Sequence, residues 1–117
     1  MKKLFALITA LGALATAGFA QPTQGQTTVK GEVLDMACYL DHGACGDKHA
    51  ACATKCISSG LPVGLKTADG QVYLLIGQHK PVNDKLADSA GKIISVRGKV
   101  ASRDGINLLE NAEIVSD

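Results

Sequence analysis

Short runs in which apolar and polar residues alternate recur along the chain from Thr27 onward, at the length of β-strands rather than helices. Val29, Gly31 and Val33 alternate with Lys30, Glu32 and Leu34, which predicts a first strand. Val63–Thr67 and Gln71–Ile76 read as a second and a third strand, joined through Ala68-Asp69-Gly70, where Asp-Gly is the signature of a tight hairpin turn. Asn83–Ala90 has a capping residue at its start and Gly91 as a stop, and suits a short helix. Lys92–Ser102 places Ile94, Val96, Gly98 and Val100 on one side; Arg103-Asp104-Gly105 turns the chain, and Ile106–Val115 returns as a fifth strand. A mainly β domain with short helices follows. Five strands with a helix between the third and fourth is the order of a small OB-like barrel, here with a Cys/His-rich helical insertion, residues 36–62, between strands 1 and 2. An open five-stranded sheet packed on the insertion is the alternative.

The N-terminal pattern is different. Lys2-Lys3, the apolar run Leu4–Phe19, and small residues Gly18 and Ala20 read as a signal peptide over 1–20, cleaved before Gln21. The polar stretch 21–27 is a flexible leader, and 28–117 forms one domain of ordinary small size. No basic stop-transfer flank follows the apolar run, so no stable membrane insertion is expected after cleavage, and the mature protein belongs in the periplasm or outside the cell. Removing the signal changes the charge. Two of the twelve Lys+Arg leave with it, so ten face eleven Asp+Glu and the net charge moves from +1 to −1. Both phenylalanines leave too, and only Tyr39 and Tyr73 remain as aromatics. The core must therefore be aliphatic. Nucleic acid is not an expected partner, because a basic groove with stacking aromatics is what single-strand binding requires.

The chemistry is concentrated in the insertion. All four cysteines and two of the three histidines fall between Cys38 and Cys56. Asp47 can cap a helix with body Lys48–Ser58, ended by Gly60 and Pro62. At about 100° per residue, His49, Cys52 and Cys56 then share one stripe. Cys38, leaving the end of the first strand, is the natural fourth donor. Three thiolates and one imidazole match a closed tetrahedral zinc site, and copper(I) is the second choice for so sulfur-rich a set. Cys45 and His42 are possible extra donors. Asp35 and Asp41 flank the site as acceptors for a ligating imidazole, Met36 reads as a core side chain, and Tyr39 as a shield against water.

Four cysteines in a small exported domain also fit two structural disulfides, and three pairings are open. That alternative gives His49 no task. Thiol redox chemistry is a third class, but its usual signature is C-x-x-C at a helix start, whereas Cys52 and Cys56 are spaced C-x3-C in a helix body. Haem attachment needs C-x-x-C-H, which is absent. A binding protein is thus favoured over an enzyme.

The run Asp35-x2-Cys38-Tyr39, His49-x2-Cys52-Ala53-x2-Cys56, Gly60-x-Pro62-x-Gly64-Leu65, then Asp69-Gly70-Gln71-Val72-Tyr73-Leu74-Leu75, resembles a group of small exported bacterial proteins built on an OB-like domain. The resemblance spans most of the mature chain. It implies the same four donors, Cys38, His49, Cys52 and Cys56, and implies no role for them. Export, a Cys3His metal site and a structural or metal-handling task are the resulting expectation.

Overall fold

A computed structural model describes Gly18 and residues 25–116. The proposed signal, apart from Gly18, and the leader up to Gln24 lie outside the described residues. Strand β1 (Gln26–Asp35) leads into helix α1 (Met36–His42), a 3-10 turn (Asp47–His49) and helix α2 (Ala50–Ser58). Strands β2 (Val63–Lys66) and β3 (Val72–Leu75) follow, then the single turn α3 (Asn83–Leu86) extended by a 3-10 turn (Ala87–Ser89), and the long strands β4 (Ile93–Arg103) and β5 (Ile106–Ser116). The strands close into a barrel in the order β1-β2-β3-β5-β4. Pairing is antiparallel except between β3 and β5, where Leu74 and Leu75 lie beside Leu108 and Leu109 in parallel. The helical insertion sits between β1 and β2, and α3 between β3 and β4. The open-sheet alternative is therefore set aside: β1 pairs with both β2 and β4, which leaves the sheet no free edge of its own at that strand.

Closure needs close backbone approach. Gly31 in β1 lies so near Lys66 that a Cβ there would stand 2.4 Å from the Lys66 carbonyl oxygen. Only glycine fits that bend. The interior is aliphatic: Val33, Leu65, Leu75, Leu86, Ile94, Val96 and Leu109 are buried inside the closed sheet and under α3. Along β1 the alternation holds through Val29, Gly31 and Val33, but Leu34 and Asp35 are buried as well. Both faces of that strand end are covered, because α2 packs over it and places Ala53 and Ile57 in the same core.

Two side chains pin α2 to the barrel. Asn83 Nδ2 donates to the carbonyls of Ile57, at 2.9 Å, near the end of α2, and of Leu61, at 2.7 Å, three residues beyond that end. Thr54 Oγ1 donates to the Ala87 carbonyl at 2.9 Å. Asn83 thus spends its side chain on α2 rather than on capping its own turn, which has no side-chain cap.

The insertion differs from expectation in two places. Residues 36–42 form a helix of their own: Asp35 Oδ1 accepts from the Ala37 N–H at 3.0 Å as its N-cap, and Gly43, in the left-handed region, ends it. The second helix begins at Ala50 rather than Lys48, preceded by the tighter 3-10 turn, and Asp47 makes no side-chain cap bond.

Candidate metal centre

Cys38 is carried by α1, His49 ends the 3-10 turn, and Cys52 and Cys56 lie one turn apart in α2. Met36 N donates to the Pro62 carbonyl, and the Met36 thioether rests on Gly64, so the start of α1 is fixed against β2. The loop between the helices is tied down from below: Gly46 N donates to the Glu32 carboxylate of β1.

These elements bring donor atoms into two groups that share one sulfur. The Sγ atoms of Cys38, Cys52 and Cys56 lie within 4.8 Å of one another, and so do one donor each from Asp35, Cys38 and His49. Such clusters can hold a metal ion. Cys45 and His42 stand in neither group. Cys45 is exposed; the His42 ring meets the His49 ring edge-on at 6.4 Å between centroids, and its Nδ1 is turned 3.2 Å from Asp41 Oδ2. Asp41 therefore serves His42 and is not an acceptor for His49. All four cysteines are free thiols.

The buried side of the site carries an unmet demand. Asp35 is 1% exposed, and its Oδ2 faces His49 Nε2 at 3.7 Å, a gap too wide for a hydrogen bond. Both atoms are buried without a partner. The crevice around them, lined by Asp35, Cys45, His49, Ala53 and Gly91 among others, is too narrow for a water molecule. Burial on its own would raise the Asp35 pKa, but the thiols of Cys38 and Cys56 and the N–H groups of Ala37 and Cys38 face the carboxylate and hold it below its ordinary value. The thiols answer in the opposite sense. Cys38 is pushed up, first by the Asp35 carboxylate beside it and then by burial, and the same causes push Cys56 up to about 12. Protonated thiols of this kind are poor nucleophiles.

Tyr39 and Met36 do other work. Lys66 Nζ lies 5.2 Å from the centre of the Tyr39 ring, and hydrogen bonding to Tyr39 raises the Lys66 pKa. Met36 is buried under β2, as the sequence suggests for a core side chain.

Asp35, a flanking acceptor in the sequence pattern, is buried and stands in the second donor group with Cys38 and His49. Its signal is present in the chain: an Asp followed by Met-Ala-Cys-Tyr-Leu and, at Gly43, a helix stop. Among the described residues no helix is long and apolar enough to cross a membrane. Comparison with protein-family models, curated proteins and solved structures returned no match.

Proposed function

We propose that this is an exported small metal-binding protein, working in the periplasm or outside the cell, in which Cys38, His49, Cys52 and Cys56 hold one ion, zinc by first choice and copper(I) by second. The observation that carries the reading is the pair of buried, unpartnered atoms, Asp35 Oδ2 and His49 Nε2, set against three converging sulfurs. Buried polar atoms without partners are rare in native folds. A cation permits the thiols to ionise beside the buried carboxylate and gives the imidazole a fixed task. Three thiolates and an imidazole fill a tetrahedron and leave no position for a reacting water, so the role is structural or metal-handling rather than catalytic.

The supporting experiment is elemental analysis with thiol counting on the untagged protein, isolated under mild conditions. About one equivalent of metal, lost to a chelator with a matching rise in reactive thiols, supports the reading. Metal-free protein with no free thiols establishes the disulfide-stabilised alternative, in which two of the three converging sulfurs pair and the third bridges to Cys45. Metal-free protein with one thiol that alkylates fast at neutral pH points to redox chemistry instead.

A further inference from the structure

The two donor groups differ in chemical character and in exposure. The sulfur group runs from exposed Cys52 to the half-buried Cys38 and Cys56, whereas the second group adds a carboxylate and an imidazole whose side chains are 0% and 17% exposed. The physical reason for the division lies in the backbone. Cys52 and Cys56 share a face of α2, one helical turn apart, but His49 belongs to the 3-10 turn, which advances about 120° per residue. His49 ends that turn, and its Nε2 lies on the side of β1, 3.7 Å from Asp35 Oδ2.

Resting on the metal-binding reading above, we infer that the Asp35–His49 pair is a metal-discriminating element: zinc requires it, whereas copper(I) is held by Cys38, Cys52 and Cys56 without it. Copper(I) is satisfied by thiolates alone, and three sulfurs already stand within 4.8 Å of one another. Zinc takes four donors in a tetrahedron and accepts imidazole readily. To reach the sulfurs the imidazole must be aimed, and the Asp35 carboxylate, 3.7 Å from Nε2, is placed to aim it. With one ring nitrogen turned to Asp35, the other is left for the ion. Asp35 acts through His49 and is a positioning residue. It is well held for that task, because its other oxygen is fixed by the Ala37 N–H at 3.0 Å.

The test compares two metals on three proteins: the full chain as isolated after signal removal, His49→Gln and Asp35→Asn. Asparagine keeps a carbonyl oxygen for the Ala37 N–H, so α1 retains its cap, and circular dichroism of each variant reports whether the barrel persists. Zinc affinity is read by competition with a chromophoric chelator, and copper(I) affinity by competition with a copper(I) chelator under anaerobic reducing conditions. The expected result is a fall in zinc affinity of about 100-fold for His49→Gln and about 10-fold for Asp35→Asn, with copper(I) affinity changed less than about 3-fold in both. Equal losses for the two metals, or no zinc loss in either variant, overturn the inference while leaving a metal site intact. A parent protein that binds neither metal overturns the metal-binding reading itself.

Discussion

Gly64→Ala tests whether the barrel, acting through one thioether, sets the position of the helix that carries Cys38. Gly64 lies in β2 between Leu34 of β1 and Leu74 of β3, and an added Cβ would stand 2.2 Å from Met36 Sδ, 3.0 Å from Met36 Cγ and 3.2 Å from the Tyr73 carbonyl oxygen. Ordinary contact is about 3.5–4.0 Å, so the sulfur must retreat by about 1.5 Å. It has little room to do so. Met36 is buried, and it opens α1 two residues before Cys38. Overpacking of this kind costs about 1–3 kcal/mol, partly offset by about 0.4–1 kcal/mol from the stiffer unfolded chain, which leaves a net loss of about 1–2 kcal/mol. Urea unfolding of the metal-free protein reads that loss as a midpoint lower by roughly 0.5–1 M at an unchanged slope. The double variant Gly64→Ala/Met36→Ala isolates the clash. Met36→Ala alone costs about 2–5 kcal/mol, but in its background the new methyl group has space, so the two changes couple by at least about 1 kcal/mol. A Gly64→Ala protein within about 0.5 kcal/mol of the parent, or additive effects in the double variant, would refute the reasoning.

Three further outcomes follow from the same contacts. Asn83→Ala removes both donors from the C-terminal end of α2 and lowers stability by about 1–3 kcal/mol in thermal or urea denaturation, whereas a change below about 0.5 kcal/mol would mean the clamp holds nothing. Cys45→Ser leaves metal stoichiometry at the parent value in elemental analysis, since Cys45 belongs to neither donor group, and a halved metal content would make it a ligand. Metal uptake is strongly pH-dependent. The Cys38 and Cys56 thiols are held up by Asp35, so at neutral pH both are protonated in the free protein and both must ionise to bind. Apparent affinity therefore rises with pH, by at least about hundredfold per unit near neutrality, and calorimetry in buffers of different ionisation enthalpy shows two or more protons released. A flat profile would contradict the directions of these shifts.

The barrel was legible in the chain because its signals are local. Period-two alternation marks β1, Asp69-Gly70 and Asp104-Gly105 mark the hairpin turns, and the turn at Asn83–Ala90 falls where such a barrel places its helix. The candidate donors Cys38, His49, Cys52 and Cys56 stand out in the chain as a concentration of residue types. Their arrangement does not. The stripe argument treats 48–58 as one regular helix, and whether its first turn is α or 3-10 depends on groups distant in sequence. Glu32 holds Gly46, and Gly91 leaves room for the Gly46 carbonyl, whose oxygen lies 3.0 Å from where a Cβ on residue 91 would be. Helix α1 went unread for a related reason. Seven residues give too little periodicity to stand out, and the Asp35 cap is recognisable only once β1 is known to end there. Burial of Asp35 is a tertiary fact, produced when α2 closes over the strand end.

X-ray absorption on the zinc-loaded protein bears most directly on whether these side chains converge on one ion. Three sulfur neighbours at about 2.3 Å and one nitrogen at about 2.0–2.1 Å, with one zinc per chain, is the expected result. Zinc surrounded only by light atoms, or a chain that takes up none because its sulfurs are paired as cystines, would contradict it.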